Sequence, residues 1–305
     1  MMRIVVIGGT SFTGGAFARY AEAKGHEVIQ VNRPTHDLLG NAPEVAARLV
    51  RLGYDRVVNF AALNMVGESW AHWVDYYKTN VIGTGLLARA LIEAKVSRFV
   101  QVSTPEVYGT TQVFLSEGAR FNPSTPYAVS RAAADLDLLA LHRENGLPVM
   151  FTRTVNVYGP GQQAYRIIPK AALCVLTRRK LALHGGGTSM RSFIHVEDVA
   201  AGILAVLENG RVGEDYHMST DRQTAIRDLV AMVCELCGRS FYEVAVDVPD
   251  RPGKDAAYLL DDSKIVTQLG WFTRVRLEDG LRETVEWVKA NSASLVDQME
   301  YRHRP

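Results

Sequence analysis

Arg3-Ile-Val-Val-Ile-Gly-Gly-Thr-Ser-Phe-Thr-Gly14 decides the fold. Arg3–Ile7 is a short apolar run of the kind buried on both faces of a parallel sheet. Two glycines follow at once, and the stretch from Phe12 to Lys24 then reads as a helix closed by Gly25. A glycine-rich turn from strand to helix exposes backbone N–H groups to a pyrophosphate, and its glycines permit a tight turn and close backbone approach. Placed at residue 8 and inside a βαβ unit, the turn predicts a dinucleotide site built from Gly8, Ser11, Phe12, Thr13 and Gly14. The spacing is G-x-x-S-x-x-G, with Ser11 where a middle glycine is usual.

Working outward, strands are predicted at Glu27–Val31, Arg56–Phe60, Arg98–Val102 and Pro148–Arg153. Between them lie helical patterns at Pro43–Leu52, around Trp70–Ala94 and at Pro126–Glu144. Strands alternating with helices at this spacing predict an α/β fold, a Rossmann-type doubly wound parallel sheet. Past Tyr158-Gly-Pro-Gly161 the regularity breaks into shorter pieces. Residues 1–160 are therefore expected to form the dinucleotide-binding domain. Residues 161–305 are expected to form mainly a smaller substrate lobe, some of whose segments return to the sheet. The second strand ends at Val31-Asn32-Arg33 with no acid for a ribose 2′-hydroxyl. An Asn-Arg pair can accept a 2′-phosphate, so NADP stays open beside NAD, with Arg33 as a plain surface charge the other reading.

The composition excludes several classes. A formal net charge of +1 over 305 residues gives no footprint for nucleic acid or an anionic membrane. No apolar run approaches the roughly 18–20 residues that span a bilayer, and with a strand following Arg3 directly no signal peptide is expected. Three cysteines form no disulfide framework, and a reducing cytoplasm is expected. Cys234 and Cys237 make a C-x-x-C, but Ile226–Cys237 has apolar residues at helical period, so both thiols are expected to pack on a helix. No metal site is expected.

Tyr127-Ala-Val-Ser-Arg131 opens a predicted helix, so Tyr127 and Arg131 share a face. Ser103-Thr-Pro-Glu-Val-Tyr-Gly109 follows a strand, at the carboxyl edge where such sheets hold ligands. With the glycine turn, these runs resemble the extended short-chain dehydrogenase/reductase family in its NAD-dependent epimerase/dehydratase branch, whose signature is Tyr-x-x-x-Lys with an upstream Ser or Thr. Further matches run along nearly the whole chain: Asn59-Phe-Ala-Ala62, Asn80-Val-Ile-Gly-Thr84, Asn156-Val-Tyr-Gly-Pro160, Arg191-Ser-Phe-Ile-His-Val-Glu-Asp198 and Asp250-Arg-Pro-Gly-Lys-Asp255. Within the branch, the S-T-x-E-V-Y-G run and the R-P-G-x-D-x-x-Y run from Arg251 to Tyr258 are most similar to nucleotide-sugar 4,6-dehydratases of the dTDP-glucose type.

The resemblance implies that Tyr127 takes the proton of the sugar 4-hydroxyl, Thr104 hydrogen-bonds that oxygen, and Arg131 holds the nicotinamide ribose and favours the phenolate. A free tyrosine has a pKa of about 10, so a nearby cation is needed for activity near neutral pH. It implies that Glu106 removes the C5 proton, that water leaves from C6, and that a tightly bound NAD returns the hydride there. It also places Asn32, Arg33, Asp37, Ala61, Ala62 and Asn80 with Tyr127 and Arg131 around the cofactor. Asn156, Arg191 and Arg251, joined by Tyr165 and Arg166, would meet a nucleotide-diphosphate sugar, where an arginine fork suits phosphate. His195 is expected to pack or hydrogen-bond structurally. The helices around Trp70–Ala94 and Pro126–Glu144 correspond to those that pair relatives into homodimers.

Two departures matter. The family lysine is Arg131, which keeps the charge but never gives up a proton. Pro105 stands where the dehydratases carry an aspartic acid that protonates the departing hydroxyl, leaving that proton to Glu106, to a water, or to no elimination at all. The expected function is a nucleotide-sugar 4,6-dehydratase. The alternatives are a 4-epimerase or C4 oxidoreductase on a similar substrate, and a non-catalytic dinucleotide-binding sensor.

Overall fold

The computed structural model describes residues 1–32, 51–111, 113–249 and 259–303. Arg33, Asp37, Arg251, Tyr258 and nearly all of the helix expected at Pro43–Leu52 lie outside the described residues. Strands β1 (Arg3–Ile7), β2 (Glu27–Val31), β3 (Arg56–Asn59), β4 (Arg98–Val102) and β5 (Val149–Thr154) are all parallel. A sixth strand, Asp215–Met218, pairs parallel with β5, so a segment from the second half of the chain closes that edge of the sheet. Read across, the order is Asp215–Met218, β5, β4, β3, β1, β2.

Both faces of the sheet are covered, as the unbroken apolar runs require. Ile4, Val6, Val58 and Val100 meet Phe17 and Ala21 of helix Phe12–Ala23 and Val199 and Ile203 of helix Val196–Asn209. Val5, Ile7, Val57 and Phe99 meet Leu87 and Leu91 of helix Thr84–Glu93 and Leu138 of helix Pro126–Asn145. A separate core joins helices Ile167–Leu176, Ile226–Leu236 and Leu277–Leu295 to strand Leu181–His184. Cys174 and Cys234 sit inside that core with free thiols, and burial pushes Cys234 up to about 11, as suits packing groups rather than reactive ones.

The segment read as one helix around Trp70–Ala94 is broken. Helix Trp73–Tyr76 passes into a π-helical stretch, Tyr77–Gly83, before helix Thr84–Glu93. The wider turn carries Asn80 inward and fully buries it. Its amide accepts from Leu63 N at 2.9 Å, returns a bond to Leu63 O and donates to Ser130 Oγ at 3.0 Å. Such bulges recur where a helix must present a side chain out of step with its neighbours.

Beneath the carboxyl edge lies a buried ionic network. Arg153, on β5, is fully buried and donates to Asp135 of helix Pro126–Asn145, to Ser103 Oγ at 2.9 Å and to Asp215 Oδ2 at 2.9 Å. Tyr108 and Phe121 cover its guanidinium at 5.5 and 5.0 Å. Next to it, Tyr108 Oη lies 2.9 Å from His217 Nε2, and His217 Nδ1 lies 3.1 Å from the Leu115 carbonyl. The carbonyl only accepts, so Nδ1 carries a proton, and in the neutral ring Nε2 then accepts from the Tyr108 hydroxyl.

Burial, and then the Arg153 charge, push His217 down to about 4 from 6.5. The unfolded chain therefore binds this proton first as pH falls, and the stability tied to the neutral ring is complete above about 6.5 and lost on the way down through about 4. Urea unfolding should show a decline of roughly 3 kcal/mol over that window, a decline absent from His217→Asn. Equal pH slopes for the two proteins would refute the assignment.

Candidate active site

The strand order reverses between β1 and β3, and a ligand crevice is expected at that switch point. A cleft of about 690 Å³ opens there, lined from the sheet edge by Ser11, Phe12, Thr13, Thr104, Glu106 and Tyr127. Gly8 turns the chain with φ +78, and a Cβ there would stand 2.9 Å from Ala61 N. At Gly14 a Cβ would stand 2.5 Å from the Gly8 carbonyl. These two glycines let the helix start press against the ends of β1 and β3. Ser11 explains its own tolerance. Its backbone is extended (φ −70, ψ 159), so it needs no glycine, and it serves as the N-cap. Its hydroxyl accepts from Gly14 N at 3.1 Å and donates to Gly8 O at 2.7 Å.

The helix start at Ser11, Phe12 and Thr13 lines the cleft, and the first amides of a helix are a ready anion site. Asn32 ends β2 by accepting from Thr10 N at 2.8 Å, which ties the turn to the second strand. Across the cleft, Arg131 is buried and lines the same space. It donates one bond to the Val102 carbonyl, and its Nε and Nη1 are buried with no protein partner. A buried guanidinium with two unused donors calls for acceptors from a ligand. The cradle, the amides and these donors together fit a dinucleotide.

Tyr127 stands one helical turn before Arg131. The helix opens with Thr125 as N-cap, accepting from Ala128 N at 3.2 Å, and with Pro126 in its first turn. Opposite it, Thr104 caps the short 3₁₀ turn Pro105–Tyr108 and accepts from Glu106 N at 3.3 Å. Pro105 occupies the first position of that turn, where a missing N–H costs nothing, and its ring is buried. The turn thus brings Thr104 and Glu106, not residue 105, onto the cleft wall. Burial raises the Tyr127 phenol, and the Glu106 charge raises it further. Arg131 and a hydrogen bond with the Thr104 hydroxyl pull the other way.

The far wall comes from residues beyond the sheet edge. Asn156, Tyr165 and Arg166 line the cleft as expected, and Ala62 does on the near side. Arg166 donates to Asn64 Oδ1 at 3.2 Å. Asn80 and Ala61 do not line the cleft; Asn80 braces the loop that does. Arg191 lies on the two-residue strand Met190–Arg191, also away from the cleft lining. His195 is buried and caps helix Val196–Asn209 by accepting from Glu197 N at 3.4 Å, a structural part. Lys170, Lys180 and His184 line the cleft unforeseen. Arg166 and Lys170 stand four residues apart at a helix start, and that spacing was the signal that could have found Lys170.

Residues 4–219 match the family described as NAD dependent epimerase/dehydratase family. The chain belongs to that family. A dTDP-glucose 4,6-dehydratase from Streptomyces niveus is 35% identical over 96% of this chain and 94% of its own length. A solved dTDP-glucose 4,6-dehydratase from Streptomyces venezuelae, with NAD bound, superposes with a TM-score of 0.92 at 34% identity, covering 97% of this chain and all of that one. A UDP-glucose 4-epimerase from Thermotoga maritima, solved with UDP-glucose, superposes with a TM-score of 0.88 at 28% identity over 95% of this chain and all of that one.

Ser11→Ala should cost about 1 kcal/mol of stability in urea unfolding through loss of the helix cap, while Ser11→Gly costs only a few tenths. If Ser11→Ala unfolds at the same urea concentration as the parent protein, the hydroxyl is not what closes this turn.

Proposed function

We propose that this chain is an NAD-dependent nucleotide-sugar 4,6-dehydratase that converts a nucleoside-diphosphate hexose to its 4-keto-6-deoxy derivative. The observation that carries the reading is that Tyr127, Thr104, Glu106 and Arg131 line one cleft, where Thr104, Glu106 and Arg131 all act on the Tyr127 phenol. Gly8, Ser11, Phe12, Thr13 and Gly14 would hold the pyrophosphate of NAD, and Arg131 its nicotinamide ribose. When bound, the dinucleotide supplies a reversible hydride store, so the cycle closes without net oxidation.

The chain's own groups handle protons. Tyr127 Oη accepts the proton of the sugar 4-hydroxyl while Thr104 orients that oxygen. Arg131 offsets the burial that raises the phenol, and further positive charge in the cleft acts in the same sense. The resulting ketone acidifies C5, and Glu106 removes that proton. The C6 hydroxyl needs a proton to leave. Glu106 and Glu300 are the acids among the described lining residues, and Glu300 pairs with Lys170 at 2.8 Å. Glu106 therefore passes the C5 proton to the departing hydroxyl. Arg166, Lys170 and Asn156 suit the diphosphate.

Pro105 favours a second reading, 4-epimerisation or C4 oxidoreduction without elimination. Turnover of nucleotide hexoses in D2O separates the two. Deuterium at C5 with loss of water is expected, whereas inversion at C4 alone would overturn dehydration. Glu106→Gln should lose C5 exchange by at least about 100-fold and keep its NAD; normal exchange would remove Glu106 from the mechanism.

The same reading extends to assembly. Helices Thr84–Glu93 and Pro126–Asn145 are bound to each other by Arg89–Asp137 at 2.9 Å, and they leave Leu86 and Leu136 37% and 57% exposed, near Ile82 at 53%. We propose that this apolar face pairs two copies of the chain. Light scattering should give a dimer that Leu136→Glu converts to monomer; a monomeric parent protein would refute it.

A further inference from the structure

The last described residues run back from helix Leu277–Leu295 to the nucleotide-binding half and end on a group of metal-ligating side chains. His72 and Asp75, three residues apart, face His303 from the tail. His303 Nε2 lies 2.9 Å from Asp75 Oδ2, and the His72 and His303 rings stack at 3.9 Å with 5° between their planes. One donor atom from each of the three lies within 4.8 Å of the other two, and all three residues are half-buried. Glu68 Oε2 adds a second carboxylate 3.9 Å from His72 Nε2. His303 Nδ1 is buried with no hydrogen-bond partner.

We propose that His72, Asp75 and His303 bind a divalent transition-metal ion of the zinc class. Two imidazole nitrogens and one carboxylate oxygen are a zinc donor set with a fourth position to fill. Glu68 or a water fills it. Calcium and magnesium, which prefer oxygen throughout, fit this set poorly. The ion takes the place between His303 and Asp75 that a shared proton holds otherwise. It ties the tail to the first half of the chain, at a point where the tail already borders the cleft. Glu300 lines the cleft, and the Tyr301 ring meets Tyr165 edge-on at 5.2 Å. The metal site is therefore a clasp on the segment that closes the rim of the cleft. This inference is independent of the reaction proposed above.

Equilibrium dialysis of the intact chain against micromolar Zn2+, with bound metal counted by mass spectrometry, tests it. The parent protein should bind one ion, and His303→Ala and His72→Ala should each weaken that binding at least about tenfold, the least expected when a ligand is lost. His303 is only half-buried, and an unchanged thermal unfolding curve should show that its variant keeps the fold. Co2+ should give visible absorption bands of a four-coordinate site that disappear in His303→Ala. No bound ion in the parent protein overturns the proposal. So does binding that survives both histidine variants, whether on the cysteines or elsewhere.

Discussion

A guanidinium buried with no exposed surface has to be neutralised and hydrogen-bonded, and Arg153 imposes that demand on three other elements at once. Asp135 answers from helix Pro126–Asn145, Ser103 from the end of β4, and Asp215 from the sixth strand. Ser103 also donates to Asp135 Oδ2 at 2.6 Å, which closes the network on itself. Tyr127, Arg131 and Asp135 recur every four residues on one helix face. Fixing Asp135 therefore fixes how Tyr127 faces the turn whose cap, Thr104, directly follows Ser103. The distance between phenol and threonine hydroxyl is in this sense set from behind, by a cation that never reaches the cleft. Removing one partner of such a pair leaves an uncompensated buried charge, and an ordinary surface ion pair could not hold the geometry so firmly.

The electrostatics of the cleft work against its own base until a ligand arrives. Burial and Glu106 both raise Tyr127, and Arg131 opposes them with two donors still unspent. An arginine in the lysine slot is consistent with that task. It needs to supply fixed positive charge and directed N–H groups, and its planar fork does so with one bond already anchored to Val102. What it gives up is a proton relay through the side chain.

Much of the sheet was legible because its strands are simple. Arg3–Ile7, Glu27–Val31 and Arg98–Val102 fall where apolar runs bounded by turn residues put them. The cleft wall was legible where local chemistry and helical spacing coincide, as in Tyr127 with Arg131 and Thr104 with Glu106. The bracing role of Asn80 behind the wall was not, because the π-helical stretch that turns it inward answers the backbone of Leu63, seventeen residues away. Ser11 looked irregular in a glycine pattern, yet its extended backbone and capping hydroxyl make it a substitute with its own purpose. The His72–Asp75–His303 group could not be seen at all. Its members are 228 residues apart between Asp75 and His303, and only the path of the tail joins them.

Pro105 shows how backbone needs and chemistry can compete for one position. The first residue of a 3₁₀ turn is a favourable place for proline, since its fixed φ suits the turn and its missing N–H is not required. Here the ring is buried, with Val107 and Tyr108 of the same turn. The gain is a stiffer Thr104-to-Glu106 segment, whose threonine hydroxyl serves as cap and as partner of Tyr127. The loss is a carboxylic acid beside the sugar. Under the proposed dehydration, a stiff turn with a single carboxylate would send the proton taken and the proton given through the same two oxygens, on one face of the sugar. On that proposal the placement of Glu106, rather than a division of labour between two acids, would govern the stereochemistry.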